Sequence, residues 1–238
     1  MDKPPRLSLA ATIGRLLTFR LGRDELLALD RRHLAMGLAA TWLVGFGRTW
    51  DDPTVDLARR TGLGSVAYVF VLAAVLWLVL LPLRTPDTAR VGYGRMLAFV
   101  ALTAPPAALY AIPVERFVAM DTAIAANLAF LGVVATWRVA LLAHFFTRAV
   151  GLRWFAVVVA TLAPLALVVS ALTFLNLAQG VIQIMGGLRE RSPEDGVNDV
   201  LLLLTVVSYL LALPLLVAYV GLAFAAWRRR RAAAVGQR

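Results

Sequence analysis

The chemistry open to this chain starts with Arg138, a guanidinium set inside an otherwise apolar run, Ala123 to Phe146. It lies eight residues before the end of that run, about 12 Å by helical rise, farther than its side chain covers. A charge near the bilayer centre costs on the order of 2.5–3.5 kcal/mol on insertion scales, so such a group is expected to face a helix bundle and to be paired there. Spacings of four, three and four put Asn127, Leu131, Val134 and Arg138 on one helical face. Arg138 is expected to bond either the carbonyls freed by Pro105 and Pro106 or a polar side chain such as Tyr209. It then either fixes helix packing or holds an anionic substrate or lipid headgroup.

Other polar groups are sparse. Thr173, Asn176, Gln179 and Gln183 fall in one broad helical sector, where they line an outward-facing vestibule or join helices through hydrogen bonds worth about 1 kcal/mol or less each. Small residues repeat every four positions at Gly37, Thr41 and Gly45, and again at Gly132, Thr136 and Ala140, the pattern of close helix packing. His33 and His144 are the only histidines, too far apart in sequence for an HExxH zinc pair; both read as interfacial anchors. Asp51, Asp52 and Asp56, followed by Arg59 and Arg60, read as an outer turn that starts a helix. No Walker loop, no G-x-S-x-G elbow and no dinucleotide fingerprint is present, and there is no cysteine. The expectation is therefore a chain with no catalytic residue, no metal site and no cofactor.

The elements that must carry these residues are set by composition. Of 238 residues 61% are hydrophobic and 16% charged, against about 45–50% and about 25% in a soluble domain. Too few polar residues remain to cover a water-soluble globule of this size. Six apolar runs approach the roughly 20 residues that cross a bilayer: about 34–50, 65–83, 96–112, 123–146, 154–178 and 200–227. Pro105, Pro106, Pro164 and Pro214 are expected breaks in these helices. The fold expected is an all-α integral membrane protein, a bundle of about six transmembrane helices with a short interfacial amphipathic helix before it. That helix is read from Leu9, Ile13, Leu16 and Leu17 at helical spacing with Arg15 and Arg20 interspersed. The organisation is a cytoplasmic or interfacial segment (1–32), a membrane domain (33–227) and a basic tail (228–238).

Charge sets the orientation. All 24 basic residues but Lys3 are arginine, a bias that suggests a GC-rich bacterial genome. With the N-terminus inside, seventeen of them fall on cytoplasmic segments and six on the opposite side, so both termini are expected in the cytoplasm of a bacterial inner membrane. Trp227 followed by Arg228, Arg229, Arg230 and Arg231 reads as an anchor to anionic lipid headgroups. The net charge of +10 is thus assigned to membrane orientation and not to nucleic acid. The function expected is a non-enzymatic subunit, scaffold or regulator of a membrane assembly, with a protein partner or a second copy. The alternatives are a small-solute or anion transporter or channel using Arg138 and the Asn176 to Gln183 stripe, and an intramembrane enzyme.

Overall fold

The computed structural model describes residues 8–47, 50, 61–83, 91–174 and 195–235. Every regular element among them is helical: α1 Leu9–Leu17, α2 Arg23–Leu27, α3 Arg31–Gly47, α4 Leu63–Leu80, α5 Tyr93–Leu102, two 3₁₀ segments Pro105–Ala111 and Val114–Arg116, α6 Met120–Arg148, α7 Trp154–Phe174 and α8 Asp195–Val235. Among the described residues four helices are long and apolar enough to cross a membrane: Leu63–Leu80, Met120–Arg148, Trp154–Ala171 and Leu203–Ala232. A fifth crossing follows if Tyr93–Leu102 and Pro105–Arg116, bent by 42° at their junction, form one span. The described residues form an all-α fold compatible with a membrane-embedded bundle.

The element bounds depart from the sequence reading in three places. The first apolar helix starts earlier, at Arg31, and its 17 residues rise about 25 Å, short of a full crossing by length alone. The third is broken at Pro105–Pro106, where a break was expected. The last is one helix of 41 residues that runs unbroken through Pro214, and α7 likewise runs through Pro164. A single proline removes one N–H from the ladder and the turns on either side hold; two adjacent prolines remove two successive bonds, and the α-helix ends.

α5 forms the centre. Met96 to Leu102 are all buried, enclosed by α3, α4 and α6, and Phe99 stacks on Phe145 of α6 at 4.2 Å between ring centres. α3 lies against α5 at backbone distance. A Cβ on Gly37 would stand 2.8 Å from the Ala101 Cβ and 2.9 Å from both the Ala101 carbonyl carbon and the Leu102 nitrogen. One turn on, the Thr41 hydroxyl bonds the Gly37 carbonyl at 2.8 Å and reaches the Ala101 carbonyl at 3.4 Å. At the next turn Gly45 meets Ser65 and Gly62, whose φ of +69° is one glycine adopts without a Cβ penalty.

The N-terminal segment is built as a hairpin on this bundle. α1 is capped by Ser8, whose Oγ accepts from the Ala11 N–H at 3.2 Å. It ends in a Schellman motif, with Phe19 N–H on Leu16 O at 3.0 Å and Arg20 N–H on Arg15 O at 2.7 Å. The left-handed position is Phe19, φ +60°, where glycine is usual; holding a phenylalanine there costs about 1–2 kcal/mol. Its ring lies against Trp137 and edge-on to His144 of α6. Trp137 Nε1 donates to Leu17 O at 3.1 Å, and His144 Nε2 lies 3.1 Å from Leu21 O. Leu16, Leu21, Leu26 and Leu29 are buried in the same core as α5. The leucine face of α1 meets protein. The hairpin is closed by the Arg15–Glu25 ion pair at 2.6 Å, and Glu25 also accepts from Gly22 N–H at 2.7 Å.

α3 is preceded by Asp30, whose Oδ1 accepts from Arg32 N–H at 2.9 Å and contacts His33 Nδ1 at 2.8 Å. The imidazole bond, with the two backbone N–H groups behind it, holds the Asp30 carboxyl below the ordinary carboxylate range. α7 and α8 pair antiparallel through Thr173 with Thr205 at 3.4 Å and Tyr209 with Ser170.

Candidate functional site

The site is made by the failure of α5 to continue. Prolines at 105 and 106 have no N–H to offer the carbonyls of residues 101 and 102, and their rings crowd the preceding turn. The chain tightens instead: Thr103 N–H bonds Val100 O and Ala104 N–H bonds Ala101 O, both at 3.2 Å. Ala107 N–H then turns to Ala104 O at 2.9 Å. Thr103 O is left outside the ladder, since its i+3 residue is Pro106 and its i+4 N–H is already used. An orphan carbonyl in a bilayer costs several kcal/mol. Arg138 supplies the missing donor, its Nε bonding Thr103 O at 3.1 Å.

Thr103 lies ten residues from the start of α5 at Tyr93, and Arg138 ten residues from the end of α6 at Arg148. Each separation is about 15 Å by helical rise. Thr103 is buried and Arg138 half-buried. Tyr68 of α4 and Tyr110 of the first 3₁₀ segment lie close enough to interact electrostatically with the guanidinium. Arg138 makes no ion pair among the described residues.

The remaining expected site residues are distributed elsewhere. Asn127 shares the face of Arg138 but lies eleven residues along α6, about 16 Å away, where its Nδ2 donates to Glu115 Oε1 at 2.7 Å. Beyond it, Arg116 lies over the Trp50 ring and Trp50 Nε1 donates to Ala111 O at 3.2 Å. Tyr209 sits on the α7–α8 pair and not at Arg138, its hydroxyl 3.4 Å from Ser170 O. Asn176, Gln179 and Gln183 lie outside the described residues, as do Asp51, Asp52, Asp56, Arg59 and Arg60. Gly37, Thr41 and Gly45 are buried between α3 and its neighbours. The second stripe has no such role: a Cβ on Gly132 would meet nothing within 4 Å, and Thr136 and Ala140 are exposed. Arg228 to Arg231 are exposed at the end of α8 or partly so; Arg231 covers the Trp227 ring at 4.0 Å and Arg230 bonds Pro82 O.

Two arrangements were not read from the sequence. The docking of Phe19, Trp137 and His144 depends on a tertiary contact between segments about 120 positions apart. Tyr219, whose hydroxyl donates to Val79 O at 2.8 Å, ties α8 to α4; the only sequence signal was a hydroxyl inside an apolar run. Among the described residues there is no group of three metal-binding side chains. Comparison with protein-family models, with curated proteins and with solved structures finds no match to this chain.

Proposed function

We propose that this chain is a non-enzymatic, membrane-embedded subunit or scaffold that assembles with a protein partner or a second copy of itself. The observation that supports this is the use made of its polar side chains. Trp42 donates to Thr61 O, Trp50 to Ala111 O, Tyr93 to Phe70 O, Trp137 to Leu17 O, Arg138 to Thr103 O and Tyr219 to Val79 O. Each bond ties one element to the backbone of another, and such bonds fix packing. The surface left for a partner is α8, which packs along α7 and has 6% of its apolar window buried. In this reading the protein crosses a bacterial inner membrane six times, with α3 as a short first crossing and the bent α5 as the third. Both termini are cytoplasmic, and Arg228 to Arg231 lie at the anionic headgroups, each worth about 1 kcal/mol.

The absence of cysteine makes the partner testable. Leu210, Leu213 and Val217 lie on one exposed face of α8, whereas Ser208 is buried. Single cysteines at the three exposed positions are expected to give the same discrete protein adduct in native membranes, identified by mass spectrometry, and Ser208→Cys none. A failure of all three to form a protein adduct removes the assembly reading. Topology has a separate measurement: cytoplasmic reporters fused after Arg90 and after Arg238 are expected to be active, and an inactive C-terminal fusion refutes six crossings.

A further inference from the structure

We infer that Arg138 and the helix break at Thr103 form a binding site for one monovalent anion near the middle of the bilayer. Only the Nε of Arg138 is engaged, by the Thr103 carbonyl. Its two Nη nitrogens, with four N–H donors, have no hydrogen-bond or ion-pair partner among the described residues. A guanidinium does not give up its proton in a protein, so the positive charge stays. Glu115, in the second 3₁₀ segment, is held by Asn127, which lies about 16 Å from Arg138 along α6. A charge so placed is retained where a counter-charge offsets the loss of water.

The source and the valence follow from depth and charge. With Arg138 about 15 Å by helical rise from the nearer end of α6, farther than its side chain extends, the anion comes from water and not from a lipid headgroup. One guanidinium balances one negative charge; a divalent anion would leave the site net negative and restore the penalty. The planar Nη fork suits a halide or the two oxygens of a nitrate or small carboxylate, and the Tyr68 and Tyr110 phenols share the region.

The test uses the full chain in nanodiscs of neutral phosphatidylcholine, which removes anionic headgroups, and sodium bromide as the probe against sodium gluconate at equal ionic strength. Bromide at a hundredfold excess over its dissociation constant is expected to raise the unfolding midpoint of the wild type by roughly 5–10 °C. Arg138→Gln is expected to abolish the rise. No rise in the wild type, or an equal rise in the variant, overturns the site. Should Arg138→Gln fail to insert, anomalous scattering from bromide-grown crystals of the wild type decides the matter: a peak within contact of the Arg138 Nη atoms supports the site and its absence overturns it.

Discussion

Gly37→Val is expected to remove about 3 kcal/mol of stability, enough to eliminate most of the folded protein recovered in mild detergent, while Gly132→Val leaves yield and melting unchanged. The two glycines stand in matching small-residue patterns, and only the surroundings differ. At Gly37 a Cβ would lie under 3.0 Å from two backbone atoms of α5 and from the Ala101 Cβ. Backbone cannot rotate away, so α3 must lift off the buried strip from Met96 to Leu102. Overpacking of this kind costs typically 1–3 kcal/mol, and here the upper end applies because the Thr41 contact with the Ala101 carbonyl is lost along with the packing. Against a total of about 5–15 kcal/mol that is a large fraction. At Gly132 nothing lies within 4 Å. Size-exclusion profiles and thermal unfolding of the two variants side by side provide the measurement; equal behaviour would refute the close approach of α3 and α5.

That pair of glycines also marks how far sequence reasoning reaches. Apolar runs and a net basic charge are sums over many residues, so the helical, membrane-compatible class is legible from composition. A stripe of small residues is local, and whether it is filled by a neighbouring helix depends on how helices far apart in sequence are arranged. Pro105 and Pro106 could be read as a break because the missing N–H groups are a property of the residue itself. Pro164 and Pro214 look the same in isolation, yet their helices absorb one lost bond each and continue. Arg138 was legible as a misplaced charge. Its partner was legible only as a class, a carbonyl near the proline pair; that the carbonyl belongs to Thr103 follows from the 3₁₀ tightening that redirects Ala107 N–H to Ala104. Phe19 carries no sequence signal, because a left-handed phenylalanine is favoured by nothing local and is held by Trp137 and His144 from α6.

The bond between Arg138 and the broken helix predicts a strong coupling. Arg138→Met removes every donor from the site and leaves Thr103 O unsatisfied in hydrocarbon, an expected loss of about 1–3 kcal/mol, partly offset because a buried charge goes with it. Replacing Pro105 and Pro106 together by alanine restores the N–H groups and removes the rings, so α5 can continue past Leu102. Ala107 N–H is then free to bond Thr103 O in the ordinary i to i−4 pattern. In that background the carbonyl no longer needs Arg138, and Arg138→Met should be neutral or stabilising. The charge term is common to both backgrounds and cancels in the cycle. What remains is the Arg138–Thr103 bond, with an interaction energy expected within the roughly 0.5–3 kcal/mol found for residues in direct contact. Unfolding of the four proteins in the same neutral nanodiscs measures it. A coupling of zero would mean that the orphan carbonyl is satisfied by something other than Arg138, and the proline break would then have no part in holding the arginine at mid-membrane.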